Sequence, residues 1–244
     1  MAVPFLKGNT RLYCSDAWPG ATVSLESERQ HPHIRISLPE PAASISSAIY
    51  GGGFLHLDHI VNRYVDKHYD CSDPVNDMVN FMAVHGYPAE STAGLMTAVK
   101  LKYAAIREER SEQSSILCCT TAGVGNAARA GSSRTTFAAY QPGTINIMLM
   151  VDGMMTPACM VNAMLTATEA KAAALHDLGV RDHETGGVAT GTTTDAMVLG
   201  VSGNAAYGVN HHYAGTATDL GGMIGRLVYE SVTESIITER EDRV

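Results

Sequence analysis

The stretch TTAGVGNAARAG, Thr120–Gly131, decides how this chain folds. It holds three glycines and four alanines, and it follows the apolar run SSILCC, Ser114–Cys119. Gly123-Val-Gly125-Asn-Ala-Ala128 fits the G-x-G-x-x-G/A pattern that cradles a dinucleotide pyrophosphate after a strand. Asp152 ends the next strand, about where a ribose-binding acid falls. A mononucleotide unit, however, needs a crossover helix between its parallel strands. The intervening RAGSSRTTFAAYQPG offers glycine, serines and Gln-Pro-Gly instead of an apolar helical stripe. No Lys-Ser/Thr pair follows the glycines, so a P-loop is also unsupported. The chain therefore reads as α+β, not as a doubly wound parallel sheet.

Working outward, GTINIMLMVDG, Gly143–Gly153, is an apolar run between glycines, as in a strand buried on both faces. ATVSL, HIRISL, STAGLMTAV and SSILCCTTAG are further strand candidates, and the charged REERSEQ between the last two reads as a solvated loop or helix end. Three helices stand out. The first runs through DPVNDMVNFMAVHG, with Asp73 as N-cap, Pro74 in the first turn and Gly86 as stop. In the second, Thr156 caps, Pro157 follows and Gly179 ends the segment. Its expected core face is Val161, Met164, Leu165, Ala172 and Leu175, with Asn162, Thr166 and Glu169 on a separate polar stripe. The third, amphipathic, carries Leu220, Ile224, Leu227 and Val228. No linker divides the segments, which predicts one domain over 1–244: sheet flanked by helices, mixed or antiparallel, with a layered αββα arrangement as one form. The loops TTAGVGNAA and ATGTTTDA echo each other and are expected to be neighbours.

The 244 residues are 45% hydrophobic and 17% charged, enough for a core and unlike a disordered chain. A formal charge of −8 argues against nucleic acid as partner. MAVPFLKGNT has neither a charged leader nor a long apolar segment, and no run nears the ~20 residues of a membrane span. With five irregularly spaced cysteines, Cys118 and Cys119 on opposite strand faces, the reading is buried thiols in a cytoplasmic protein.

Among chemistry-bearing residues, the histidines of HPH (His31, His33), HLDH (His56, His59, with Asp58) and the pair His211–His212 lack a recognised metal-ligand spacing. No G-x-S-x-G is present, and neither adjacent cysteine has a visible partner. TGTTTDA, Thr190–Ala196, offers four threonines and one carboxylate before an apolar strand. Asp195 there is a general base, an orienter of threonine, or a turn residue bonding its own loop.

Taken in order, ISSAIYGGGF, HIVNRYV, GVGNAARAG, GTINI with VD, VNAMLTATEAKAAALHDLGV, ATGTTTDA and YAGTATDLGGMIGRLVYESV resemble the adenosylcobinamide amidohydrolases of corrinoid salvage (CbiZ-type). The resemblance runs from about Ser44 to Ile236, and the first 43 residues carry little of it. It implies cleavage of the aminopropanol amide of adenosylcobinamide to give adenosylcobyric acid and 1-amino-2-propanol. The corrinoid is then substrate, not cofactor, and no cofactor or metal residue is assigned; a homo-oligomer stays open. The family brings no catalytic residues with it, so the site follows from chemistry. Amide hydrolysis needs an activated nucleophile, an oxyanion stabiliser and a proton for the leaving amine. Asp195 is the candidate base, acting on water or Thr194, and Glu169 the candidate acid. Gly123, Gly125 and Asn126 are candidates for the oxyanion hole, Arg129 for propionamide carbonyls, and Asn162 and Thr192 for further substrate contacts. A non-catalytic corrinoid carrier and, more distantly, a nucleotide-linked oxidoreductase are the competing classes.

Overall fold

The computed structural model describes residues 3–27, 31–69, 72–136 and 143–242. Its strands are β1 (Leu12–Cys14), β2 (Thr22–Glu26), β3 (His33–Ser46), β4 (Gly53–Tyr64), β5 (Thr92–Thr97), β6 (Ala105–Arg110), β7 (Ser115–Ala122), β8 (Ala127–Ala128), β9 (Ile145–Asp152), β10 (Met154–Met155), β11 (Gly191–Thr192), β12 (Ala196–Val201) and β13 (Asn210–His211). The helices are α1 (Pro74–His85), α2 (Pro157–Asp177) and α3 (Asp219–Glu241). Nine of the strands form one mixed sheet, and β8–β11 and β10–β13 form short two-stranded ladders.

The long β3 joins the sheet's two limbs. Its first half pairs with β2 and its second half with β12, while β4 runs along its other edge and carries β5 in parallel. Beyond β12 the order is β9, β7, β6, with β12–β9 parallel and the remaining pairs antiparallel. Alternation along β7 and β9 then divides the core. Ile116, Cys118, Ile145, Ile147 and Leu149 face α2 and α3. Leu117, Cys119, Met148 and Met150 face inward and meet Ile34, Ile36, Leu57, Ile60 and Leu95 of the other limb. The sheet thus curls upon itself, and α1 covers the outside of β4 and β5 through Met78, Phe81 and Met82 against Val61. Helix pair, limb, limb and helix make an α+β domain layered αββα.

Several expectations hold. Asp73 and Thr156 cap α1 and α2, and every residue of β9 is buried. Cys118 and Cys119 occupy opposite cores. The antiparallel pairing of β7 with β9 rules out a nucleotide-type crossover after the glycine loop. Part of the argument from RAGSSRTTFAAYQPG, and the reading of Cys71, lie outside the described residues.

Two expectations are corrected. REER is not a loop or helix end: it is the last four residues of the edge strand β6, and three of its charged side chains meet neighbours. Arg107 pairs with Glu230 and Glu234 of α3, Glu109 with Arg226, and Glu108 accepts from Ser15 and from the amides of Asp16 and Ala17. On α2, Val161 and Leu165 are exposed at 46% and 57%, while the buried face is Cys159, Met160, Ala163, Thr166, Ala167, Lys171, Ala174 and Leu175. Small residues, not the larger aliphatics, let this helix approach sheet and α3 closely.

Candidate active site

The two small-residue loops are neighbours. Ala127 and Ala128 pair with Thr192 and Gly191, Asn126 Nδ2 donates to Thr193 Oγ1 at 2.7 Å, and the Ala130 amide donates to Thr190 Oγ1. The first loop packs more than it cradles. Gly123 is buried, and a Cβ there would collide with Val99.

Beside these loops, between the limbs, lies a cleft of about 320 Å3 where the ends of β5, β9 and β12 converge. Ile49, Val65, Pro74 and Leu95 give it an apolar side, and Thr144, Asn146, Thr194 and Asp195 a polar one. Of the residues proposed from sequence, Thr194 and Asp195 line it. Gly123, Gly125, Asn126, Arg129, Asn162, Glu169 and Thr192 do not.

Asp195 has its acceptor directions filled by the protein. Its Oδ1 accepts from the Ile145 amide and the Thr192 hydroxyl, and its Oδ2 from the Thr192 amide and Lys171 Nζ. A carboxylate offers about four acceptor directions, and these four donors take them all. That is the turn-closing role, reinforced by an ion pair whose side chains are 11% and 16% exposed. Gly191 makes room for it, since a Cβ at that position would overlap both the carboxylate and the ammonium.

Glu169 is exposed on α2 and does not line the cleft, so Asp195 and Glu169 are not brought together there. The other two members of its stripe hold a loop: Asn162 Oδ1 accepts from the Ala214 amide at 2.8 Å, and Thr166 Oγ1 donates to the Ala214 carbonyl at 2.7 Å. Arg129 is exposed, with its guanidinium on the Val188 carbonyl and its amide on Asp182. The buried thiols do not line the cleft, and burial pushes Cys118 and Cys119 up and Cys159 to about 11, away from the thiolate form.

Sequence reasoning missed a buried polar chain beneath the cleft. Asn62 Nδ2 donates to Thr121 Oγ1, and Asn146 Nδ2 donates to both Asn62 Oδ1 and the Met96 carbonyl, each at 2.8 Å. Thr144 Oγ1 lies 3.2 Å from Asn146 Oδ1 and 2.7 Å from the Thr194 carbonyl. Asn62 is 0%, Asn146 1% and Thr144 5% exposed, so each partner is needed. The available signal was an amide inside otherwise apolar strands, INIMLMV and IVNRYV. Lys171 left no such cue within AKAAAL.

Fold and cleft together define an α+β protein with a small-molecule-sized site between the limbs of a curled sheet and, among the described residues, no mononucleotide-binding unit. The chain belongs to the adenosylcobinamide amidohydrolase family, whose model matches residues 19–243. A Methanosarcina mazei protein named adenosylcobinamide amidohydrolase is 27% identical over 74% of this chain and 84% of its own. An uncharacterised Methanocaldococcus jannaschii protein is 29% identical over 79% and 81%. Among solved structures, a Burkholderia beta-aminopeptidase overlaps 91% of this chain and 84% of its own, at 12% identity and a TM-score of 0.44. A Pyrococcus horikoshii protein covers 90% and 82% at 11% identity and a TM-score of 0.43. Family membership places the chain among amide hydrolases.

Proposed function

We propose that this protein hydrolyses the amide joining the aminopropanol arm to adenosylcobinamide, yielding adenosylcobyric acid and 1-amino-2-propanol for corrinoid salvage. The observation that carries the reading is the family match across residues 19–243. The cleft supports it in scale. At about 320 Å3 it lies at the small end of ligand pockets, about 300–1,000 Å3, which suits a flexible arm and leaves the macrocycle at the rim. Its two-sided lining suits that arm as well, with apolar contact for methylenes opposite hydroxyl and amide groups for the scissile bond.

Incubating the pure protein with adenosylcobinamide, without added nucleotide, and following the mixture by mass spectrometry tests this. Stoichiometric appearance of aminopropanol and the acid is expected. Tight corrinoid binding with no aminopropanol released would instead make the protein a carrier.

A further inference from the structure

We propose that Thr144 is the nucleophilic hydroxyl of this cleft, aimed by Asn146 and Asn62; the inference rests on the amide-hydrolase reading. The argument starts from a group that can only accept. Met96 contributes a backbone carbonyl, so the Asn146 group facing it is the NH2. That same nitrogen reaches Asn62 Oδ1, which turns Asn146 Oδ1 toward Thr144. The second neighbour of Thr144 Oγ1 is again a carbonyl, that of Thr194. Its hydroxyl therefore donates to one or the other, and among the described residues no donor points at its oxygen. Both lone pairs are left for whatever enters the cleft.

Other hydroxyls on the cleft differ. Ser47 Oγ accepts from the Met197 amide and Thr97 Oγ1 from the Val99 amide, so each spends a lone pair on the protein. Thr194 donates to the Gly143 carbonyl but has no amide chain behind it. Only Thr144 combines the donor-only state, burial at the cleft floor and a rigid support running two limbs deep.

The step balances without a co-reactant other than water. Thr144 Oγ1 bonds to the acyl carbon, the C–N bond breaks, and the departing nitrogen takes the hydroxyl proton. Water then cleaves the resulting ester, giving the carboxylic acid and restoring the threonine. Asn146 and Asn62 are positioning residues, since they act through the hydroxyl.

The test uses two readouts on the full-length chain. With p-nitrophenyl acetate as acyl probe, peptide mass spectrometry should place an acetyl group on Thr144 in the wild type, on the serine in T144S, and at that position not at all in T144A. With adenosylcobinamide, T144A should lose about a thousandfold or more in turnover and T144S recover much of it. N146A should lower kcat about a hundredfold with KM little changed, the signature of a misplaced hydroxyl. Should T144A not fold, the wild-type and T144S labels decide. An acetyl pattern that ignores Thr144, or a folded T144A turning over within a few-fold of wild type, overturns the proposal. A wild type acetylated at Thr144 that spares adenosylcobinamide upholds the hydroxyl and removes the substrate reading.

Discussion

Lys171 and Asp195 illustrate how a single side chain changes meaning once its partners are known. In sequence, Asp195 is a carboxylate among threonines, which suits a base, an orienter of threonine or a turn. Its four donors close the turn and hold the Thr192 hydroxyl, and one comes from a lysine on α2 that no local pattern connects with it. Removing one member of a sequestered ion pair strands the other and costs up to about 3–5 kcal/mol. Because this pair keeps 11% and 16% exposure, D195N and K171M should each fall below that ceiling. The double variant K171M/D195N should lose less than the sum of the singles, as coupled sites do. Urea unfolding of the four proteins measures this. Strict additivity, or a D195N protein of wild-type stability, would detach Asp195 from Lys171. The same scale explains why Asn62 and Asn146 were overlooked. A strand pattern marks a buried amide as odd, but only the pairing of β4, β7 and β9 around the interior shows that the two amides meet.

At the scale of elements, end signals were legible, and the apolar face was legible on α3 through Leu220, Ile224, Leu227 and Val228 but not on α2. Asp73, Pro74 and Gly86 bound α1, and Thr156 with Pro157 starts α2, because caps and prolines act within a few residues. Which side of α2 is buried depends instead on what packs there, and close approach to sheet and α3 selects alanines over Val161 and Leu165. Helix α1 shows a second tertiary effect. Phe81 stacks on His85 at 4.1 Å, meets the edge of His33 at 5.1 Å and lies 5.1 Å beneath the Arg63 guanidinium. Burial lowers the affinity of His31, His33 and His59 for a proton, with Arg63 adding to the effect at His31 and His85 to that at His31 and His33. At His59, Asp58 opposes burial and Arg35 reinforces it. Folded values below the ordinary 6.5 mean that the unfolded chain binds more protons as pH falls. The contribution is fully present above that value and is lost on descending through it. Unfolding free energy should therefore fall as pH drops below about 6.5, and His33→Gln should flatten part of the slope. A profile flat below that pH would remove the ring cluster as a source of acid sensitivity.

At the scale of the whole molecule, alternation and turn chemistry read from sequence led to a single α+β domain, and the antiparallel β7–β9 pairing confirms that the glycine loop opens no crossover. What the sequence could not show is the curling of one sheet through β3, since β3 joins the limbs by pairing with β2 and β12, strands far apart in the chain. That curl creates the cleft where the proposed amide cleavage takes place. Ala98 lines it, only partly buried, on the segment that follows β5. Ala98→Phe places a ring in the cleft without removing any of the hydrogen bonds described. The decisive measurement is the rate of aminopropanol release from adenosylcobinamide by this variant, compared with wild type at matched folded concentration. We predict a loss of at least about a hundredfold, the scale expected when a reacting group is kept from its place, with the melting temperature little changed. A folded Ala98→Phe protein releasing aminopropanol at the wild-type rate would contradict the assignment and move the chemistry out of this cleft.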